Sequence, residues 1–175
     1  IVLGSALNGM RPVINHQRLD FAVLSLDPIC TQAAKWHYMF GGRLNIPLVI
    51  RSIIGRGWGS AAQHSQSLQA MFMNIPGLRV IMPATPYDAK GLLIAAVKDG
   101  NPVIMIEHRW LYDHTGHVPE EMYEVPLGKA AIRKTGKDAT IVAVSHMVHE
   151  AVQAAQELQE EGIDAEVIDL RSLKP

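Results

Sequence analysis

The sequence predicts an α/β fold in which a mostly parallel sheet carries helices on both faces. Three apolar runs have the length and the branched residues of strands buried on both sides: IPLVIRS (46–52), LRVIMP (78–83) and NPVIMIE (101–107). Segments with helical spacing separate these runs, and such alternation is typical of a parallel sheet with right-handed crossovers. Ligands of these sheets bind in the loops beyond the carboxyl ends of the strands, so we expect a site there.

Helix start and stop signals lie between the predicted strands. ATPYDAKGLLIAAVKDG (84–100) has a threonine cap, a proline in its first turn and a final glycine. DPICTQAAKWHYMFGG (27–42) begins with an aspartate–proline pair and ends in two glycines, which also predicts a helix. A further helix is predicted through HSQSLQAMFMN (64–74), and IVLGSALNGM (1–10) is expected to be a helix or its packing surface. FAVLS (21–25) is predicted to be a strand end or a turn.

A second α/β unit is predicted in the last third of the chain. Residues 108–127 carry few apolar repeats, two prolines and a glycine, which indicates an extended segment crossing between domains. Strand and helix order then resumes with a strand at 138–145, an amphipathic helix at 147–162 and a strand at 164–171.

Composition excludes several classes of protein. The chain has 175 residues, of which 48% are hydrophobic, and a formal charge of −1, which argues against disorder and against a broad basic surface for nucleic acid. No apolar run approaches the roughly 20 residues of a membrane span. Cys30 is the one cysteine, so no intrachain disulfide forms, a reducing compartment fits, and we expect an inert buried thiol. The chain begins at Ile1 without methionine and ends soon after a strand, so we expect a piece of a longer polypeptide.

His64, in SAAQHSQSLQ (60–69), is the best candidate for chemistry. It follows a buried strand and the glycine-rich GRGWG (55–59), which places it at the carboxyl edge of the sheet. A histidine there can move protons near neutral pH or donate to an oxyanion. By position alone, a loop histidine that bonds only its neighbours is equally supported. GRGWG lacks the spacing and the lysine of a P-loop, and Trp58 makes it bulky, so we interpret it as a pocket wall.

Other polar groups favour plainer interpretations. Asp113, His114 and His117 match no standard metal-ligand spacing and indicate a solvated linker. Asp99 and Asn101 are typical of a turn between helix and strand. The residues alone therefore predict a parallel α/β domain with a site at its carboxyl edge.

A set of motifs along the whole chain resembles the beta subunit of the thiamine-diphosphate-dependent 2-oxoacid dehydrogenases, the first component of the pyruvate and branched-chain complexes. The motifs are GMRPV (9–13), DPICTQAAK (27–35), YMFGG (38–42), PLVIR (47–51), AAQHSQS (61–67), IPGLRVIMPATPYDAKGLL (75–93), DGNPV (99–103) and EVIDLRSLKP (166–175). The resemblance implies a transketolase-like pyrimidine-binding domain over 1–127, with its N-terminus missing. It implies the truncated start of a transketolase C-terminal domain over 128–175.

The resemblance also implies roles for individual residues. His64 would be catalytic, facing the reacting centre and helping acyl transfer to lipoamide. Phe21 would pack on the aminopyrimidine ring of the cofactor, although ordinary core packing also explains a phenylalanine there. A structural potassium ion would be bound, mostly through backbone oxygens, at Leu48, Ala96, Asp99 and Asn101.

Cofactors and partners follow from the same resemblance. Thiamine diphosphate would be shared with an alpha subunit, and that subunit would supply the magnesium ligands, since no GDG-type motif with a downstream asparagine occurs here. A second beta subunit would complete a heterotetramer, with the helix at 28–40 as contact material, and a lipoyl acyltransferase would accept the acyl group. The compartment implied is the cytoplasm, or the mitochondrial matrix in a eukaryote.

The sequence departs from the family pattern in three places. The family's cofactor-activating glutamate would lie a few residues upstream of Ile1, Pro28 stands where glutamine is common, and the segments 53–66 and 107–117 differ from those of the pyruvate enzymes. The substrate therefore stays open. Two alternatives remain: a transketolase- or acetoin-type two-carbon transferase, and a non-catalytic assembly module that lacks the glutamate.

Overall fold

Two sheets organise the computed structural model of the protein, which describes residues 1–57 and 59–174. The strands of the described residues are β1 (Val13–His16), β2 (Val49–Ile54), β3 (Arg79–Ile81), β4 (Val103–His108), β5 (Ala131–Lys134), β6 (Ala139–Ala143), β7 (Ala165–Asp169) and β8 (Ser172–Lys174). The first sheet has the order β1-β2-β4-β3-β8, in which the first four strands are parallel and β8 runs antiparallel to β3. The second has the order β5-β7-β6.

Short and long helices connect the strands. The α-helices of the described residues are α1 (Val2–Leu7), α2 (Leu19–Ala22), α3 (Trp36–Met39), α4 (Gln69–Met73), α5 (Pro86–Lys98) and α6 (Met147–Glu160). Short 3₁₀-helices lie at Val23–Ser25, Ala62–His64 and Arg109–Asp113, and a π-helix lies at Pro28–Ala33. Among the described residues, no helix combines the length and the apolar character that a membrane crossing requires.

Both faces of the first sheet are buried. Val103 and Met105 of β4 pack in the cluster that includes Leu92 of α5, whereas Ile104 and Ile106 point into the cluster on the opposite face. The period of two along a strand explains this division, because successive side chains leave opposite sides of a sheet. The predicted α/β fold with a mostly parallel sheet and helices on both faces is confirmed.

Prolines set the ends of the three buried strands that the sequence predicts. A proline has no N–H to donate to a neighbouring strand, so strands begin after it or end before it. Regular pairing in β2 therefore starts after Pro47 and in β4 after Pro102, and β3 ends before Pro83. The strands exist as predicted, with shifted or shorter bounds.

Some local predictions were wrong. FAVLS (21–25) is not a strand end: it contains the end of α2 and a turn of 3₁₀-helix, because Leu19 and Ala22 bury the same side of one helical turn. The helix predicted from His64 begins only at Gln69, since the Asp20 carboxylate accepts the Gln66 N–H (3.1 Å) and holds that backbone out of a helix. The crossing segment opens with a 3₁₀ turn. The sequence did not predict β1, β5 or β8.

The second unit is a small sheet covered on one face. Ala151 and Ala155 of α6 pack against Ala165 and Val167 of β7. On the opposite face, Ile132 and Val142 are 60% and 57% exposed, and both lie beside Ile168 in the strand register. A helix therefore covers only one face of the second sheet, whereas both faces of the first sheet are covered.

The two units are joined through the backbone. β8 follows the second unit yet pairs with β3 at the edge of the first sheet. The Met82 N–H donates to Arg171 O at 2.8 Å, and His149 Nε2 of α6 lies 2.8 Å from Ala84 O, next to the start of α5. The chain thus returns to its first domain after β7.

A buried ion cluster strengthens the same junction. Asp88 of α5 and Asp169 of β7 are both fully buried. Arg133 of β5 donates to Asp88 and, at 2.7 Å, to Asp169, while Arg171 reaches Asp88 Oδ1 at 3.2 Å. Burial raises the pKa of the Asp169 carboxyl, and its hydrogen bonds with Arg133 oppose that shift.

Replacing Arg133 with methionine should destabilise the protein by about 3–5 kcal/mol, because it leaves fully buried carboxylates with fewer cations. The free energy of unfolding in urea measures this. Lys98→Met is the control, because it breaks the exposed Lys98–Glu124 pair (2.5 Å) and should cost no more than about 1 kcal/mol. Equal effects of the two changes would contradict the role given to the cluster.

Candidate functional site

The carboxyl ends of β1, β2 and β4 meet at an open cavity of about 650 Å³. These strands are neighbours in the sheet, and their ends lie at one edge because they are parallel. Polar side chains from the loops that follow them supply most of the wall. The described lining residues are Asn15, Gln17, Arg18, Ile53, Gly59, Ser60, His64 and Arg109.

Of the two residues predicted for cofactor chemistry, His64 lines this cavity and Phe21 packs against His64. His64 is half-buried in the 3₁₀ turn after β2, and Phe21 is half-buried in the helix after β1. Their rings meet edge to face with centroids 5.1 Å apart and an interplanar angle of 73°. The proximity of Phe21 to His64 depends on the pairing of β1 with β2, which the sequence did not predict.

The loop that carries His64 has an unusual backbone. Ala61 has φ +51° and ψ −164°, a region that side chains with a Cβ rarely adopt, directly before the turn with His64. Such conformations cluster at functional sites, where the surroundings hold them in place. Trp58, which the sequence suggested as part of a pocket wall, lies outside the described residues.

Gly55 allows a close approach between the ends of β2 and β4. It has φ +83°, and a Cβ placed there would lie 2.5 Å from His108 Nε2. The Gly55 carbonyl also accepts a hydrogen bond from Arg18. A glycine is therefore required here for both conformation and space.

Arg18 is held between the backbone and a buried acid. Its Nε lies 4.0 Å from Oδ2 of Asp20, which is only 9% exposed. Asp20 in turn accepts the Gln66 N–H from the loop after His64. Asp20 thus connects the helix after β1 with the loop after β2, beneath the cavity wall.

His108 ends β4 and lies in a group of rings from both units. Its ring centroid is 5.5 Å from Trp110 and 4.9 Å from His146, which directly precedes α6. Burial lowers the pKa of His108 to about 4, and electrostatic interactions with the neighbouring His146 and Arg18 add to the shift. His108 is therefore neutral near pH 7, and its ring can accept a hydrogen bond, as Nδ1 does from the Trp110 N–H.

A second, smaller cavity of about 220 Å³ lies between the starts of α5 and of the crossing segment. Glu107 lines it and is fixed by two hydrogen bonds from Arg51, at 2.8 and 2.9 Å, and one from Tyr112 at 2.8 Å. Burial, followed by the bond to Glu107, raises the pKa of Tyr112. These groups satisfy one another, which indicates a structural role.

The next feature is the distribution of side chains that could bind a metal ion. Among residues 1–57 and 59–174, no three or more His, Cys, Asp or Glu side chains are grouped so that they could hold a metal ion. His114 instead packs against His149 with centroids 4.4 Å apart, and His117 is exposed. Cys30 is partly buried, and burial raises the pKa of its thiol, as expected for an unreactive cysteine.

The residues predicted for potassium lie at the opposite, amino-terminal edge of the sheet. Leu48 precedes β2, Ala96 and Asp99 lie at the end of α5, and Asn101 precedes β4. Asn101 N–H donates to Asp99 Oδ1 at 2.8 Å, so the predicted turn is present. Arg11 already donates to the carbonyl oxygens of Val97 (2.7 Å) and Asp99 (3.1 Å), and a potassium ion would have to share the latter. Potassium binding stays a prediction.

The cavity fits the pyrimidine part of thiamine diphosphate. An aromatic ring, an imidazole and the amide side chains of Asn15 and Gln17 lie within or next to a space larger than that ring. The wall includes no acidic side chain among its described residues, so magnesium would need ligands from elsewhere.

Three residues at this edge were not singled out from the sequence: Arg18, His108 and Arg109. His108 and Arg109 fall at the end of a predicted buried strand, so the rule for strand ends applied to them as it did to His64. Arg18 follows β1, a four-residue edge strand without a fully buried residue, and no local signal indicated it.

The fold is an α/β domain of the parallel-sheet class with an open cavity at the carboxyl ends of its strands. The family model described as "Transketolase, pyrimidine binding domain" matches residues 1–115, and "Transketolase, C-terminal domain" matches 128–175. The chain belongs to the transketolase pyrimidine-binding family, with a C-terminal-domain segment after it.

The curated relatives include beta subunits of acetoin oxidoreductases and of 2-oxoacid dehydrogenases. The chain is 51% identical over 173 residues to the acetoin:2,6-dichlorophenolindophenol oxidoreductase subunit beta of Cupriavidus necator, covering 99% of this chain and 51% of the relative. It is 44% identical over 176 residues to the pyruvate dehydrogenase E1 component subunit beta of Bacillus subtilis, covering 100% and 54%. The chain spans about half the length of the curated relatives it matches.

Solved structures agree on the fold. A split gene transketolase, described as an inactive beta4 tetramer, superposes with a TM-score of 0.78 at 24% identity, covering 98% of this chain and 52% of that one. A transketolase from Pichia stipitis, in complex with a sugar phosphate, gives 0.70 at 18% identity, covering 93% and 23%. The expected transketolase-like fold is confirmed.

Replacing Gly55 with alanine should lower stability more than the same change at Gly9. Both glycines have nearly the same positive φ, +83° and +84°, but a Cβ at Gly9 meets nothing within 4 Å. The backbone strain of roughly 1–2 kcal/mol is common to both, and the clash with His108 adds to it only at Gly55. Urea unfolding of the two variants measures the difference, and equal losses would contradict the close approach.

Acidification should destabilise the protein partly through His108. Its pKa is about 4 in the folded state and near 6.5 in the unfolded chain, so the unfolded state binds more protons between these values. The contribution of neutral His108 to the free energy of unfolding is therefore fully present above pH 6.5, and it is lost as the pH falls toward 4. Urea midpoints at pH 7 and pH 5 should differ less in His108→Gln than in the wild type. The exposed His117→Gln serves as control, and an unchanged pH dependence in His108→Gln would refute the assignment.

Proposed function

We propose that the protein is the beta-type half of a thiamine-diphosphate-dependent 2-oxoacid dehydrogenase, which decarboxylates a 2-oxoacid oxidatively and transfers the acyl group to lipoamide. The observation that carries this proposal is the edge-to-face pair of His64 and Phe21 beside the cavity at the strand ends. Beta subunits of pyruvate and 2-oxoisovalerate dehydrogenases among the relatives support it.

Bound thiamine diphosphate would supply the nucleophilic carbon that attacks a 2-oxo group. Phe21 would hold the pyrimidine ring by packing, and it is itself held by the helix after β1. His64 would face the reacting atoms, where its imidazole donates a hydrogen bond or a proton. The strained Ala61 backbone and the contact with Phe21 fix the direction of His64.

The partners belong to the same proposal. An alpha-type subunit would hold the diphosphate and magnesium, since the cavity wall described here carries no acidic ligand. Tyr38, Met39 and Phe40, which are 90%, 64% and 50% exposed at the end of the 28–40 segment, suit a contact with that subunit or with a second beta chain. In the same proposal, the first domain ends at residue 127 and the second begins at residue 128. A potassium ion would be bound at the loop that contains Asp99, and a lipoyl acyltransferase would accept the acyl group.

An acetoin-type two-carbon enzyme is the second candidate. Acetoin oxidoreductase beta subunits from two bacteria are 51% and 46% identical to this chain, and they favour it. Assays with a lipoamide acceptor against an aldose acceptor, and with a 2-oxoacid against acetoin, separate the candidates. A non-catalytic assembly module would bind no cofactor and would be inactive in all of these assays.

Calorimetric titration of thiamine diphosphate with magnesium tests the proposal. The complete protein is titrated alone and together with its alpha-type partner. Binding only in the presence of the partner is expected, because in this proposal the alpha-type subunit supplies the diphosphate and magnesium ligands. Absence of binding in both experiments would favour the assembly module.

Replacing His64 with alanine in the partnered enzyme should reduce turnover by roughly tenfold to several thousandfold, the range for loss of an acid–base or oxyanion group. The affinity for thiamine diphosphate should change little. His117→Ala, in the exposed crossing segment, is the control and should retain activity. Wild-type turnover in His64→Ala would refute its assignment.

A further inference from the structure

We propose that Arg109 is the residue that selects an anionic substrate, by binding the carboxylate of the 2-oxoacid in the His64 cavity. This inference rests on the proposed function and narrows its substrate class. It separates charged 2-oxoacids from neutral acyloins such as acetoin.

The first argument is position. Arg109 follows β4 directly, and its side chain lines the same cavity as His64. In the proposed complex, a 2-oxoacid in this cavity would turn its oxo carbon toward His64 and its carboxylate toward the Arg109 guanidinium. A guanidinium binds a carboxylate through two parallel hydrogen bonds, which fixes both distance and orientation.

The second argument is that the loop fixes the arginine stem. A Cβ at Gly57 would lie 3.5 Å from Arg109 Cγ and 3.8 Å from its Nε, so the stem packs along the glycine-rich loop. On the other side, the guanidinium carbon lies 5.6 Å from the centre of the Tyr112 ring. A side chain held at both ends loses less entropy when it binds an anion.

The third argument is the charge of the wall. Two arginines, Arg18 and Arg109, face the cavity, and its described lining includes no carboxylate. Arg18 is engaged by Gly55 O and lies beside the buried Asp20, so it is fixed in the wall. Asn15, Gln17 and Ser60 are neutral hydrogen-bonding groups. A wall of this kind favours a small anion over a neutral molecule of the same size.

The test compares binding of oxamate, an unreactive anion of the size of pyruvate, with that of its neutral methyl ester. Calorimetry is performed on the partnered protein loaded with thiamine diphosphate. Arg109→Met should weaken oxamate binding by about tenfold to a hundredfold, the effect of losing a charged hydrogen-bonding group, and Arg109→Lys should recover part of it. Binding of the ester should change little.

Arg56→Met is the matched control, because it removes a positive charge from the neighbouring loop. Arg56 lies over the Trp110 ring at 5.4 Å and is not among the described lining residues. Oxamate binding should survive this change. In turnover, Arg109→Met should raise KM for the 2-oxoacid and leave kcat, and KM for acetoin, nearly unchanged.

Unchanged oxamate binding in Arg109→Met, or an equal loss in Arg56→Met, would overturn the inference. Failure of the proposed function is distinguishable, because the wild-type protein would then bind no thiamine diphosphate with its partner. A wild type that binds the cofactor yet binds the neutral ester more tightly than oxamate would also overturn the inference, although cofactor binding by the partnered protein would stand.

Discussion

The burial of two carboxylates, Asp88 and Asp169, is the constraint on which the arrangement of the molecule depends. Each is fully removed from solvent, and the cations that neutralise them, Arg133 and Arg171, come from the second unit. Buried charges are tolerated only where partners and hydrogen bonds replace the lost water. The cluster is therefore satisfied in one relative position of the two units, and the pairing of β8 with β3 coincides with it.

The same junction reaches the carboxyl edge of the sheet. α6 begins beside the cluster of rings at the end of β4, where His146 lies 4.9 Å from His108. His108 in turn lies against Gly55, at the start of the loop that leads to His64. Packing thus connects the junction between the two units to the cavity through neighbouring strand ends. The geometry of the site depends on the close approach at Gly55 and on the strained Ala61 backbone.

The sequence predicted what local chemistry determines. The apolar runs identify β2, β3 and β4, and Thr85 caps α5 as expected, accepting the Asp88 N–H at 3.1 Å. What it did not predict depends on distant pairing: β1 is a short edge strand, and β8 forms only because the chain returns to β3. His64 could be found from its loop, and Arg109 from its strand end. Arg18 needed the pairing of β1 with β2 before its place in the wall was apparent.

The central claim is that this edge of the sheet forms the pyrimidine half of a shared cofactor site. A crystal structure of the complete protein with its alpha-type partner and thiamine diphosphate tests it most directly. The account predicts the aminopyrimidine ring in van der Waals contact with Phe21, with His64 facing the thiazolium side and the diphosphate on the partner. A cofactor bound away from both side chains, or held by this chain alone, would contradict it.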